Sequence, residues 1–129
     1  MNQELEDKIL YKYYDIFYET KKGKEQSTMI SNIECGDGWF DILWRLFEDI
    51  YAMKPKILQV KEKCGGLRVY ASFPQDYTEQ GWRRISKAEE EASETCEFCG
   101  KPGELRFNKN NWKVTQCNNC VAEDEMKDH

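Results

Sequence analysis

The chain holds a single histidine, His129, set in an acidic C-terminal stretch. Because that histidine is the last residue of an expected tail, no Cys/His dyad is credible, and a single histidine cannot make a histidine-rich metal motif. Only 3 prolines occur, and no stretch approaches eighteen apolar residues, so a proline-rich linker and a membrane span are both excluded as readings of the sequence. The segment MNQELEDKIL has no cationic run followed by an apolar core, so a secretory signal is not expected and a reducing cytoplasm is. A phosphate-binding glycine loop, a dinucleotide fingerprint and a serine-centred nucleophile elbow are missing too. Positive charge is in deficit, with 19 Lys and Arg against 24 Asp and Glu, a formal net charge of −5. Whole-surface attraction to nucleic acid or anionic lipid is therefore excluded, and only a local basic patch could serve. There is no internal repeat and no low-complexity segment.

What is present is enough for one compact domain: 129 residues, 40% hydrophobic and 13% aromatic. Apolar residues Leu5, Ile9, Tyr13, Ile16 and Phe17 recur at helical spacing. A loop follows, with a short strand around residues 29–33. Asp37, suited to N-capping, precedes the broad stripe Trp39, Phe40, Leu43, Trp44, Leu46, Phe47, Ile50 and Tyr51. Pro55 closes that helix and the period changes to two: Leu58, Val60 and Glu62 alternate with Ile57, Gln59, Lys61 and Lys63. Gly65 and Gly66 mark a hairpin turn, and Leu67, Val69, Ala71 and Phe73 continue the alternation around Arg68 and Tyr70. Trp82, Ile85, Ala88 and Ala92 then define a third helix, weakened at Gly81. The expected fold is α+β: three helices with a small antiparallel β-sheet and a C-terminal four-cysteine, zinc-ribbon-like hairpin. The expected organisation is a 1–94 core (helices about 3–20, 38–52 and 77–94; β-hairpin about 57–73), a zinc-binding hairpin at 95–120, and a solvated acidic tail at 121–129.

Six cysteines without a secretory signal point to metal rather than disulfides. Cys96 and Cys99 form one C-x-x-C, Cys117 and Cys120 another, with 17 residues between the pairs, a spacing typical of structural zinc. Two such turns present four thiolates tetrahedrally once the intervening strands, 104–107 and 112–116, bring them together. One structural Zn²⁺ is the expected cofactor, with a rubredoxin-like iron or a redox dithiol as alternatives. Gly100 suits the first turn; the second relies on asparagines able to adopt the left-handed conformation. Four protein ligands leave no position for a reactive water, so the metal is expected to hold structure.

Cys35 precedes a helix N-terminus, which favours a thiolate, but no base accompanies it; a partly buried free thiol is the plainer reading. Cys64 at the hairpin end reads as a small packing residue. Asp37 and Asp41 could act as an acid/base or cation pair, though capping and solvation also account for them. An enzyme is not expected.

Residues 54–70 carry Lys54, Lys56, Lys61, Lys63 and Arg68 against Glu62, a net +4 on an acidic protein. Lys61 and Lys63 share one strand face, and Arg68 and Tyr70 share a face of its neighbour, so cations stand beside an aromatic ring, ready for phosphate contact or simply solvated. Residues 96–120 sum to +2, which four thiolates around one Zn²⁺ cancel with about −2. Trp39, Trp44 and Trp82 are core candidates; Trp112 is expected to stay partly exposed.

The blocks Cys35-Gly36-Asp37-Gly38-Trp39, Lys61-Glu62-Lys63-Cys64-Gly65-Gly66-Leu67-Arg68-Val69-Tyr70 and Thr95-Cys96-Glu97-Phe98-Cys99-Gly100-Lys101-Pro102-Gly103, with the closing C-x-x-C, resemble a family of small bacteriophage and prophage proteins. The resemblance covers about residues 34–120. Cys64 stands where that pattern has phenylalanine. The resemblance implies a phage origin and names no activity. The expected function is a non-enzymatic phage accessory or counter-defence protein that binds a host protein or sequesters an anionic small ligand such as a signalling nucleotide. The expected surface is Gly36, Asp37, Gly38 and Trp39 with Lys61, Lys63, Gly65, Gly66, Arg68 and Tyr70, because glycines let a ligand approach backbone amides. The alternative is a zinc-dependent nucleic-acid-binding protein using the basic hairpin and Trp112. A metal-dependent or thiol enzyme would instead need Asp37 or Cys35. No membrane partner is expected, and oligomeric state stays open.

Overall fold

The computed structural model describes residues 1–20, 27–29 and 33–126. The first helix, α1 (Gln3–Lys12), is opened by Asn2, whose side chain accepts from the Leu5 amide. It does not run on to residue 20 as its periodicity suggests. The backbone leaves the helix at Tyr13, resumes as α2 (Tyr14–Phe17) and turns into β1 (Tyr18–Thr20). No proline or glycine causes the break. Tyr13 is drawn into an aromatic array, 5.3 Å from the Trp44 ring and 5.7 Å from Tyr51, so tertiary packing overrides helical propensity. Of the strand expected around 29–33 only Met29 falls in a strand, the end of β2 (Ser27–Met29), antiparallel to β1; Ile33 is outside any strand, and residues 30–32 lie outside the described residues.

A 3₁₀ turn at Asp37–Trp39 leads into α3 (Phe40–Ile50), whose apolar stripe Ile42, Leu43, Leu46, Phe47 and Ile50 is buried. Asp37 does not cap it. Its carboxylate accepts instead from the Asn2 amide at 2.6 Å and the Asn2 side chain at 3.0 Å, tying the chain start to this turn. Lys54 adopts left-handed φ before Pro55, ending the α3 region.

Strands β3 (Lys56–Lys63) and β4 (Gly66–Ser72) form the predicted hairpin, with two corrections. A bulge between Ile57 and Gln59 turns Ile57 inward and leaves Leu58 exposed, so the expected face assignment fails before Val60 and holds after it. The turn residues with positive φ are Cys64 and Gly65, while Gly66 already pairs with Lys63. Cys64 is therefore exposed at a left-handed position and is not a packing residue.

Helix α4 (Thr78–Ala92) buries Ile85, Ala88 and Ala92 against α3 and β4. Its Gly81 makes room for the Phe73 ring, on which Trp82, 39% exposed, also packs edge-on. Glu89 accepts from the Val69 amide, covering an open edge of β4. Strands β5 (Glu104–Phe107) and β6 (Lys113–Gln116) form the C-terminal hairpin around a turn held by Asn108, whose side chain accepts from the amides of Asn110 and Trp112. Asn118–Met126 forms α5, so part of the expected acidic tail is helical. Five α-helices, not three, occur among the described residues, and the strands form three separate antiparallel pairs. The architecture is mixed α+β around one core in which Trp39, Phe17 and Phe47 are fully buried, Phe17 lying edge-on to Phe47 at 4.9 Å.

Candidate metal centre and its seat on the core

Cys96 and Cys99 flank a tight turn completed by Gly100 at φ +81, and Cys117 and Cys120 sit on the opening turn of α5. The second pair thus uses a helix start rather than a left-handed asparagine. The four Sγ atoms lie within 4.8 Å of one another, with Cys99 and Cys117 3.5 Å apart. A tetrahedron with metal–sulfur bonds of about 2.3 Å has edges of about 3.8 Å, so this donor set could hold one metal ion in a zinc-ribbon-like arrangement. The thiols are electrostatically uneven. The Cys117 thiol is brought down to about 6, chiefly by a hydrogen bond from the Cys120 backbone, whereas burial pushes Cys120 up. Four thiolates this close repel one another unless a cation sits among them.

The Gly36–Trp39 segment, expected to face a ligand, is the seat of this centre. The Gly38 amide donates to the Glu97 carbonyl at 2.7 Å, and the Gly36 amide to the Glu97 carboxylate at 2.9 Å. A Cβ on Gly38 would stand 2.1 Å from the Cys96 carbonyl oxygen, and one on Gly36 would stand 2.4 Å from that of Glu97. The indole of Trp39, fully buried, donates to the Thr95 carbonyl at 2.9 Å. These amides are taken by protein, so Gly36, Asp37, Gly38 and Trp39 do not offer the ligand surface read from the sequence. Gly65 is likewise covered: the Leu105 side chain lies against it, and the Thr115 hydroxyl donates to its carbonyl at 2.7 Å.

Glu97 is the residue that sequence reasoning missed. It is buried, its amide donates to the Thr115 carbonyl, and burial raises its carboxyl above the usual range, partly offset by the Gly36 hydrogen bond. Nothing in C-E-F-C distinguishes it, because the intervening positions of such a turn are commonly solvated. Cys35 is buried nearby, and burial, with Glu97 adding to it, pushes its thiol up to about 12, so helix proximity does not yield a thiolate.

The remaining candidates share the outer face of β3–β4. Lys61 pairs with Arg68, Gln59 with Tyr70 and Lys63 with Gly66, and the Lys61 ammonium lies 5.7 Å from the Tyr70 ring centre. Among the described residues none of Lys61, Lys63 and Arg68 forms an ion pair; Arg68 donates to its own neighbour's carbonyl at Leu67. The β5–β6 hairpin, which meets β3–β4 at the Gly65 turn, exposes Leu105, Phe107 and, at 70%, Trp112. On the free edge of β3, Glu34 exchanges backbone hydrogen bonds with Val60 and Glu62.

Fold and site together define an α+β protein with a four-cysteine site able to hold a metal ion. Comparison with protein-family models, curated proteins and solved structures finds no match for the chain. No helix among the described residues is long and apolar enough to cross a membrane.

Proposed function

We propose that this chain is a non-enzymatic binding protein: one structural Zn²⁺ on Cys96, Cys99, Cys117 and Cys120 staples the β5–β6 hairpin to the core, and the basic outer face of β3–β4 engages an acidic patch on a partner protein. The observation that carries the reading is the placement of the cations Lys61, Lys63 and Arg68 with Tyr70 on one face of β3–β4, none of the three in an ion pair among the described residues. The β5–β6 hairpin, docked at the Gly65 turn through Leu105 and Thr115, meanwhile exposes Leu105, Phe107 and Trp112. Arg, Tyr and Trp are the side chains that most often dominate protein interfaces, and exposed apolar surface on the docked hairpin suits a protein better than a phosphate backbone. The net charge of −5 and Glu34 on the β3 edge oppose tracking of a polyanionic strand. Sequestration of a nucleotide loses its support, because the glycine amides that would grip phosphate are already engaged. The likeness of the sequence blocks to small phage proteins supports a host protein as that partner, with the chain as an accessory or counter-defence factor.

The test compares the zinc-loaded protein with Lys61→Glu/Lys63→Glu/Arg68→Glu. The changes at exposed Lys63 and Arg68 should each alter stability by no more than about 0.5 kcal/mol, and the one at half-buried Lys61 by about 1 kcal/mol. A stoichiometric protein complex that the triple variant loses while remaining folded is the expected outcome. Retention of the complex by the variant, or tight binding of a single-stranded oligonucleotide that weakens steeply with salt, would overturn the reading.

A further inference from the structure

Away from the cysteine centre, α1, α2 and the turn after α3 border an open cleft of about 740 Å³. Three tyrosines line it: Tyr11, 88% exposed, Tyr14, 54% exposed, and Tyr51. Two carboxylates, Asp7 and Asp15, line it as well. The Tyr51 hydroxyl donates to Asp15 at 2.8 Å, and its ring leans on the buried Tyr13 at 5.7 Å, so this wall is held in place from two sides. Asp7 accepts from Gln3 at 2.7 Å. Neither carboxylate has a cationic partner among the described residues.

Tyrosine rings lining a cleft together with carboxylates are the chemistry of organic-cation recognition: ring quadrupoles attract a weakly hydrated ammonium and carboxylates neutralise it. A hard metal ion is a poor fit, because it needs more oxygen ligands, and the only group of three or more closely spaced ligand atoms among the described residues is the cysteine set. One lysine, Lys12, also lines the cleft, against the two carboxylates. A neighbouring cleft of about 360 Å³ lies across the Tyr51–Asp15 pair, lined by Ile16, Ala52 and Pro55 with Lys54 and Lys56. Those lysines repel a second positive charge, whereas the apolar residues accept a hydrocarbon chain. We propose that the tyrosine-lined cleft between α1 and the turn after α3 binds a single alkylammonium group. Its source is either a free amine or the lysine side chain of a partner.

The test is ¹H–¹⁵N NMR of the full zinc-loaded chain titrated with tetramethylammonium chloride against sodium chloride at equal ionic strength. Saturable shifts at residues 7–15 and 51 are expected, weakened about tenfold in Asp15→Asn, which keeps an acceptor for Tyr51 and removes the charge. Shifts that never saturate and match the sodium control, or unchanged affinity in Asp15→Asn, would overturn the proposal. Tighter binding of a capped lysine amide than of n-butylammonium assigns the site to a partner's side chain; the reverse order assigns it to a free amine.

Discussion

The amide of Gly38 donates to the carbonyl of Glu97 at 2.7 Å, joining residues 59 positions apart where the core and the cysteine centre touch backbone to backbone. A side chain cannot fit there: the nearest atoms to a Cβ on Gly38 are the Cys96 oxygen, the Gly100 nitrogen and the Glu97 carbonyl carbon, all within 2.7 Å. These are backbone atoms of the metal turn, which cannot swing aside as a flexible side chain would. The close approach makes glycine necessary at position 38.

Gly38→Ala should therefore destabilise the protein by about 3 kcal/mol, with the overpacking relieved only by lifting the metal turn off the core. Chemical denaturation measures the loss. Hydrogen exchange should show it concentrated at 95–117, and uniform protection would contradict the docking role.

Replacing one ligand, Cys96→Ser or Cys117→Ser, should release the metal, because a three-sulfur remnant of a structural site rarely holds its fold. Native mass spectrometry should read one zinc in the parent and none in either variant. Thr115 and Leu105 should then lose their contacts with Gly65, so amide exchange at the β3–β4 turn should rise with that of the β5–β6 hairpin. Unchanged metal content would contradict the assignment of the site.

Alanine is a better helix former than glycine by about 1 kcal/mol, so Gly81→Ala would stabilise an isolated α4. In the folded chain the added methyl would stand 2.4 Å from the Phe73 ring, itself wedged against Trp82. A net loss of about 1–2 kcal/mol is expected, and Phe73→Leu in the same chain should recover part of it. A raised melting temperature for the single variant would contradict this packing.

The two cysteines outside the metal set should differ in reactivity. Burial raises the Cys35 thiol to about 12, so below that pH it stays protonated and shielded, while Cys64 is exposed on its turn. Iodoacetamide at pH 8 should add one group per metal-loaded chain, at Cys64. Cys35 should react only on unfolding or as the pH nears 12. Rapid labelling of Cys35 at pH 8 would contradict its burial.

Local pattern carried much of this protein. The period-two run from Val60 to Ala71 placed Lys61, Lys63, Arg68 and Tyr70 on one outer face, because alternation along a strand is a property of the backbone. The stripe of α3 and the C-x-x-C spacing were legible for the same reason: helical repeat and ligand geometry act over a few residues. Long-range events left no such mark. The break at Tyr13 follows from rings contributed by α3 and the turn beyond it, and the bulge at Ile57–Gln59 moves one side chain across the sheet without a glycine to announce it.

The glycines near Trp39 show the same division. Gly-Asp-Gly before a helix signals close approach to something, and the sequence suggested a ligand. What approaches is the Cys96–Gly100 turn, some sixty residues away, with Glu97 filling both amides. By itself the sequence determined the strand faces from Val60 onward, the α3 stripe and the four sulfur donors, since each depends on spacing within one segment. Only the tertiary structure decided what Gly36 and Gly38 touch, that Cys35 is silent and Cys64 exposed, and which tyrosines from α1, α2 and the turn after α3 come to share a cleft. Those outcomes depend on which distant surfaces compete for burial, and no local period encodes that competition.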